Sequence, residues 1–243
     1  MKEAPLQTKC KPEITLLNID CMEYMSELPD KSFDLAIVDP PYGINADKKN
    51  NGKTSDCHER TSLARLNNYK TGWDDAAPGD DYFKELRRVS KHQIIWGANF
   101  FGLIGGYIYW DKMVSMPTYS DGELAFCSIL NSVKTFRYQW HGMLQGDMKN
   151  KEARIHPTQK PIKLYDWLLH NYAKPGQRIL DTHLGSGSSA IAAYRFGVDF
   201  VGCEIDTDYY NAANNRFKLE TAQISMFDCA DITGINYSMF DLA

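Results

Sequence analysis

The segment Phe33–Val38 (FDLAIV) constrains the fold of this chain more than any other stretch. A strand with one solvated face would alternate apolar and polar residues, whereas this run is apolar on both faces. It is therefore typical of a parallel strand that helices cover on both sides. Strand and helix patterns alternate along the rest of the chain, so we predict an α/β fold with a doubly wound, mostly parallel sheet.

The alternation predicts the approximate positions of the other elements. Further strands are expected at residues 13–19, 93–97, 107–111, 124–129, 135–141, 178–180 and 200–203, and helices at 21–28, 80–90, 163–172, 189–196 and 208–218. The length of 243 residues and the hydrophobic share of 43% suit a single domain over residues 1–243. Residues 43–75 have little apolar pattern, and we interpret them as a long mobile loop of the kind that usually has a function.

The tetrapeptide Asp39-Pro40-Pro41-Tyr42 lies at the carboxyl end of the predicted strand Phe33–Val38. Ligands of open α/β sheets bind at that edge. Two prolines fix φ and remove two backbone donors, so the turn is stiff and presents acceptors. The Asp39 carboxylate and the Pro40 carbonyl can accept both hydrogens of an exocyclic amine, while the Tyr42 ring can stack on a planar base. The tetrapeptide therefore predicts a pocket for a flat group that carries an amine.

A glycine-rich turn, residues 181–188, lies between a predicted strand and a predicted helix. Gly185 and Gly187 let the backbone approach a ligand closely, and the helix N-terminus offers free N–H groups. Glu204 ends the next strand, where a carboxylate can accept the hydroxyls of a ribose. Because the same spacing matches a dinucleotide fingerprint, this turn alone leaves a nicotinamide (NAD-dependent) dehydrogenase open.

The chain resembles the amino-methyltransferases of DNA, specifically the group in which the DPPY motif precedes the cofactor motifs. Here Asp39–Tyr42 comes first, His156-Pro157-Thr158-Gln159-Lys160-Pro161 follows, and the glycine-rich turn comes last. The resemblance implies a Rossmann-like fold and S-adenosylmethionine-dependent methylation of double-stranded DNA, with the target base flipped out of the duplex. Asp39 at the first motif position favours adenine N6 over cytosine N4, where that group typically has Ser. A non-catalytic DNA-binding protein that kept the fold is a further alternative.

The resemblance also implies roles for individual residues. The catalytic set would be Asp39, Pro40, Pro41 and Tyr42. The cofactor-binding set would be Asp20, Cys21, Thr158, Lys160, Asp181, His183, Gly185, Gly187 and Glu204. His183 departs from the family, which usually has Phe at this position against the cofactor.

Two basic stretches within a chain of net charge −4 predict contacts with DNA phosphates. The first lies in the 43–75 loop next to the target base, and the second in residues 112–155, where this group tends to place target recognition. The predicted DNA-binding residues are Lys48, Lys49, Lys53, Arg60, Arg65, Lys134, Arg137, Lys149, Lys151 and Arg154.

Other classes of protein are not favoured. No stretch approaches the roughly 20 apolar residues that would span a bilayer. The six cysteines form no CxxC pair, so the sequence suggests neither a metal site nor a disulfide framework. We expect a cytoplasmic protein with reduced thiols. The resemblance implies that it is part of a restriction-modification or similar system, and it allows a homodimer because family members often pair.

Overall fold

The structure is a computed structural model, and it describes residues 11–45, 74–115, 120–141 and 144–227. The strands are β1 (Ile14–Leu17), β2 (Phe33–Val38), β3 (Ser90–Trp96), β4 (Gly106–Asp111), β5 (Gly122–Cys127), β6 (Val133–Arg137), β7 (Trp140–His141), β8 (Leu144–Gln145), β9 (Arg178–Asp181) and β10 (Asp199–Cys203). The helices are α1 (Cys21–Ser26), α2 (Asp80–Val89), α3 (Ile162–Tyr172), α4 (Ser188–Phe196) and α5 (Thr207–Phe227). Most of the predicted 43–75 loop lies outside the described residues, and so do the DNA contacts predicted there, Lys48, Lys49, Lys53, Arg60 and Arg65.

Eight of the strands form one sheet in the order β1-β10-β9-β2-β3-β5-β4-β6. All neighbours are parallel except at β5, which runs antiparallel to β3 and to β4. The predicted doubly wound, mostly parallel sheet is therefore confirmed. None of the helices in the described part of the chain is long and apolar enough to cross a membrane.

Strand β2 is buried on both of its faces, as its apolar run predicts. Leu35 and Ile37 pack into a core cluster with residues of α3, α4 and α5. Ala36 and Val38 point to the opposite face, into a cluster with residues of α1 and α2. Two helical layers thus enclose the sheet, and β2 lies in its middle.

The strand predicted over residues 135–141 is divided in the structure. β6 ends at Arg137, and Trp140–His141 pairs instead with Leu144–Gln145 in a separate small sheet. The Tyr138 carbonyl accepts a hydrogen bond from the Trp110 indole at 3.1 Å, and the Trp140 indole donates to the Gln159 carbonyl at 2.7 Å. Because a buried indole N–H needs an acceptor, these two bonds turn the chain away from the sheet edge.

The connections place a crevice between β2 and β9. The chain passes from β2 through α2 to β3 on one side, and from β9 through α4 to β10 on the other. β2 and β9 are neighbours, so the winding of the sheet reverses between them. Ligands in open α/β sheets bind outside the carboxyl ends of the strands at such a switch point.

Candidate active site

A cavity of about 560 Å³ opens at the carboxyl ends of β2, β9 and β10. Its volume is in the range of small-molecule sites. The sequence-predicted residues that line it are Asp39, Pro40, Pro41, Tyr42, Thr158, Lys160, His183, Gly185 and Glu204. Asp20, Cys21, Asp181 and Gly187 are not among the lining residues. The fold therefore brings the turn Asp39–Tyr42 after β2, here called the acceptor turn, next to the glycine-rich turn after β9, although the two are far apart in sequence.

The Asp39 carboxylate is held by two groups. The Lys160 ammonium lies 2.5 Å from Oδ2, and the Tyr42 hydroxyl donates to Oδ1 at 2.7 Å. Burial raises the pKa of Asp39, while the positive charge of Lys160 opposes that rise. Burial also acts to lower the pKa of Lys160, but Asp39 and Glu123 outweigh it and raise that pKa overall. Lys160 is thus bonded to the acceptor carboxylate, and its predicted cofactor contact stays a prediction.

The Tyr42 ring is packed among aromatic neighbours. It stacks on Phe100 with a centroid separation of 4.9 Å and an interplanar angle of 19°, and its edge faces Phe101 at 6.0 Å. Phe100 is 46% exposed and lines the cavity, so Tyr42 and Phe100 together form an aromatic surface in the cavity wall. Gly97, at φ +78°, lies against the same ring, and a Cβ there would come 2.4 Å from Tyr42 Cε1.

Two charged residues of this site escaped the sequence analysis. Glu123, on β5, places Oε2 2.9 Å from the Lys160 ammonium and Oε1 2.6 Å from the Lys112 ammonium. Burial acts to raise the pKa of Glu123, but the two lysines outweigh it and lower that pKa to about 2. Neither Glu123 nor Lys112 belongs to a motif, so only strand pairing reveals that they share a site.

The glycine-rich turn is built around two carboxylates. Glu204 Oε2 accepts the Gly185 N–H at 2.8 Å, and its Oε1 accepts the Asp206 N–H at 3.0 Å. Asp181 is buried behind the turn, where it accepts the Ser189 hydroxyl at 2.6 Å and the His183 N–H at 3.0 Å. Burial raises the pKa of Asp181 to about 7. Asp181 therefore shapes the turn from behind, while Glu204 faces the cavity.

His183 ends a chain of polar groups that leads inwards from the cavity. Its Nδ1 lies 2.9 Å from Thr182 Oγ1, which in turn lies 2.6 Å from the Tyr82 hydroxyl. The Tyr82 ring also packs edge-on against the imidazole. Burial lowers the pKa of His183 to about 4, so the ring is neutral near pH 7.

The acid and the thiol after β1 have local roles. The Asp20 side chain accepts the Met22 N–H at 2.7 Å and caps the N-terminus of α1. Burial, followed by the charge of Asp20, raises the pKa of the Cys21 thiol to about 12, so the thiol stays protonated. Their predicted part in cofactor binding stays a prediction.

The basic residues predicted to meet DNA differ in their surroundings. Lys134, Arg137, Lys149 and Lys151 are exposed. Arg154 is instead half-buried, and its guanidinium donates to the Pro157 carbonyl at 2.6 Å. Within the part of the chain that the structure covers, no group of three or more His, Cys, Asp or Glu side chains could hold a metal ion.

Comparisons with known proteins identify relatives of this chain. A family model described as DNA methylase (N6_N4_Mtase) matches residues 91–215, a range that includes Lys160 and the glycine-rich turn but not Asp39. The Type II methyltransferase M.HinfI of Haemophilus influenzae is 26% identical over 254 residues, covering 84% of this chain and 68% of the relative.

Two solved structures share the fold. The M1.HpyAVI–SAM complex matches with a TM-score of 0.52 at 19% identity, covering 84% of this chain and 99% of that one. The PvuII DNA methyltransferase (cytosine-N4-specific) matches with a TM-score of 0.54 at 13% identity, covering 93% and 99%. The Rossmann-like methyltransferase fold predicted from the sequence is thereby confirmed.

The close approach of Gly97 to Tyr42 can be tested by Gly97→Ala. The left-handed φ alone should cost roughly 1–2 kcal/mol of unfolding free energy. Gly102→Ala is the matched control, because Gly102 has φ +62° with open space around its Cα. We expect Gly97→Ala to lose clearly more stability in denaturant unfolding, since its methyl group must also displace the Tyr42 ring. Equal losses in the two variants would contradict this packing.

The raised pKa of Asp181 predicts a pH dependence of stability. A carboxyl whose folded pKa of about 7 exceeds its unfolded value stabilises the protein at low pH, and that contribution is lost as the pH rises through about 7. Relative to Asp181→Asn, the wild type should therefore lose unfolding free energy between pH 5 and pH 8. Asp34, whose pKa the hydrogen bond from Lys91 lowers, is the control. The difference between wild type and Asp34→Asn should stay constant over the same range.

Proposed function

The chain belongs to the N6_N4_Mtase family of DNA methylases, and from that premise we propose that it methylates the exocyclic N6 of a flipped adenine in double-stranded DNA. S-adenosylmethionine is the methyl donor. Membership of this family decides against the nicotinamide dehydrogenase that the glycine-rich turn alone left open. The observation that carries the proposal is the position of the Asp39 carboxylate, in the same cavity as Gly185 and Glu204.

The residues after β9 and β10 fit the donor. Gly185 and Gly187 have φ of +53° and +72°, which only glycine adopts readily. Gly185 lines the cavity, where it lets the turn approach a ligand, whereas a Cβ at Gly187 would meet Ala213 of α5. The Glu204 carboxylate has about four acceptor positions, of which the two backbone N–H groups take two. The remaining positions suit the two hydroxyls of a ribose. Ile205, 68% exposed beside Glu204, adds an apolar surface for a flat ring.

The acceptor turn fits the target amine. An exocyclic amine is a weak nucleophile because its lone pair is delocalised into the ring. Hydrogen bonds from its two N–H groups to the Asp39 carboxylate and the Pro40 carbonyl would favour a pyramidal nitrogen with a directed lone pair. S-adenosylmethionine supplies an electrophilic methyl group at that point. Positioning and charge stabilisation then lower the barrier without a covalent enzyme intermediate.

The fate of the charge also points to Asp39. Methyl transfer leaves the amine nitrogen positively charged and with one proton to lose. The Asp39 carboxylate, in contact with that nitrogen, stabilises the charge and is the nearest acceptor for the proton. Its Oδ1 accepts the Tyr42 hydroxyl and its Oδ2 contacts the Lys160 ammonium, so an arriving amine would use one of the remaining acceptor positions of the carboxylate.

Contact with the DNA backbone is proposed for the exposed basic residues Lys134, Arg137, Lys149 and Lys151. Phosphate contacts of this kind hold a duplex in register and weaken as salt rises. Base flipping follows from the chemistry, because the amine of a stacked, paired adenine cannot reach the floor of a cavity.

The choice of adenine over cytosine rests on Asp39, and mass spectrometry of nucleosides tests it. DNA from a host that expresses the protein would be digested and compared with DNA from a host that expresses Asp39→Ala. We expect N6-methyladenine in the first sample only. N4-methylcytosine would overturn the base assignment, and the absence of any methylated base would favour a non-catalytic DNA-binding protein. Sequencing of the methylated DNA would then give the recognition site.

Replacing Asp39 should separate chemistry from cofactor binding. We expect Asp39→Asn to lower the rate of methyl transfer by on the order of 100-fold or more, because a neutral amide neither stabilises the positive charge on the methylated nitrogen nor takes its proton. The affinity for S-adenosylhomocysteine, measured by calorimetry, should stay close to that of the wild type. Asp34→Asn, on β2 just before this turn, should remain active. Wild-type turnover in Asp39→Asn would rule out the assignment.

Replacing Tyr42 should distinguish its ring from its hydroxyl. Tyr42→Ala should weaken binding of the flipped base by about 1–3 kcal/mol, the usual loss for one stacking ring. Tyr42→Phe keeps the ring, removes the bond to Asp39 Oδ1, and should bind the base at least as well as the wild type. Fluorescence of 2-aminopurine at the target position measures binding of the flipped base in both variants. A loss in Tyr42→Phe as large as in Tyr42→Ala would argue against stacking.

A further inference from the structure

Four side chains of alternating charge form a continuous chain in the cavity wall. In order they are Lys112, Glu123, Lys160 and Asp39, joined by contacts of 2.6, 2.9 and 2.5 Å. Their side chains are 20%, 22%, 3% and 18% exposed, so bulk water screens them only weakly. Two positive and two negative charges sum to zero, which is the arrangement that a buried group of ions requires.

Lys160 is the shared member of this chain. Its ammonium has three N–H groups, and its partners are Asp39, Glu123 and, at 3.3 Å, the Tyr42 hydroxyl. The same ammonium lies 5.3 Å from the centre of the Trp96 ring. The two carboxylates come from strands on either side of β3, so Lys160 reaches across that strand.

Lys160 therefore does not form a simple pair with Asp39, because Glu123 contacts the same ammonium. The position of that ammonium is fixed by two carboxylates rather than by one. Lys112 contacts Glu123 in turn and supplies the second positive charge, which favours the ionised form of Glu123.

We propose that Glu123 is a positioning residue for methyl transfer, that Lys112 is its counter-ion, and that the neutral four-charge chain holds Lys160 where the Asp39 carboxylate can receive the target amine. This inference rests on the proposed function, in which the Asp39 carboxylate accepts hydrogen bonds from the target amine. Glu123 itself acts through Lys160 rather than on the substrate.

The charge balance makes an unusual prediction for a double variant. Glu123→Gln leaves two lysines beside a single carboxylate, so Lys112 repels Lys160 from its place. Lys112→Met leaves two carboxylates beside a single lysine. Lys112→Met/Glu123→Gln restores a neutral pair of Lys160 and Asp39. The double variant should therefore be faster than either single variant, whereas two independent structural losses would add.

The experiment measures kcat for methyl transfer to DNA and the Kd for S-adenosylhomocysteine in the wild type, the two single variants and the double variant. Glu85→Gln is the matched control, because Glu85 is 28% exposed, pairs with Arg88 at 2.8 Å and lies outside the cavity. We expect kcat of Glu123→Gln to fall on the order of 100-fold with Kd unchanged. The double variant should recover about 10-fold or more of that loss, and Glu85→Gln should match the wild type.

The outcomes separate this inference from the proposed function. An active wild type with undiminished kcat in Glu123→Gln would overturn the inference alone, and so would a double variant no faster than both single variants. A wild type that transfers no methyl group would overturn both. If Glu123→Gln fails to fold, the comparison of Lys112→Met with the double variant still decides, because charge balance requires the double variant to be faster.

Discussion

The contact between the Lys160 ammonium and the Asp39 carboxylate is the interaction on which the site depends. It joins the acceptor turn after β2 to the segment that leads into α3, across about half of the chain. Burial makes each charge costly alone, so each requires the other. The pair therefore keeps Asp39 an acceptor at the cavity floor, and it ties the position of that acceptor to the packing of α3 on the sheet.

A second buried pair ties the cofactor side to the same segment. The Arg216 guanidinium, from α5, donates to the Ser186 carbonyl in the glycine-rich turn and pairs with Glu152 at 2.7 Å. The other oxygen of Glu152 accepts the N–H of Ile162, the first residue of α3. The segment between Glu152 and α3 thus contacts both halves of the cavity, through Arg216 on one side and Lys160 on the other. This shared segment and the switch point of the sheet therefore set the distance between the Asp39 carboxylate and the glycine-rich turn.

Much of this architecture follows from local patterns. The apolar run of β2, the proline turn and the glycine-rich turn each depend on a few neighbouring residues, so the fold class and nine of the cavity-lining residues could be predicted. The division of the strand predicted over residues 135–141 could not, because it depends on indole acceptors supplied by tertiary contacts. Phe100 and Glu123 also escaped prediction, since neither belongs to a motif. Phe100 contacts Tyr42 and Glu123 contacts Lys160 only in the folded structure.

The sequence by itself determined the doubly wound fold and the family resemblance, because backbone preference and hydrophobic periodicity are short-range properties. Only the tertiary structure decided which charges meet. Lys160 has a place in a motif, yet its partners Asp39 and Glu123 come from strands whose neighbourhood is set by the order of the sheet. An ion pair is a property of distance and burial, and both exist only once the strands have packed.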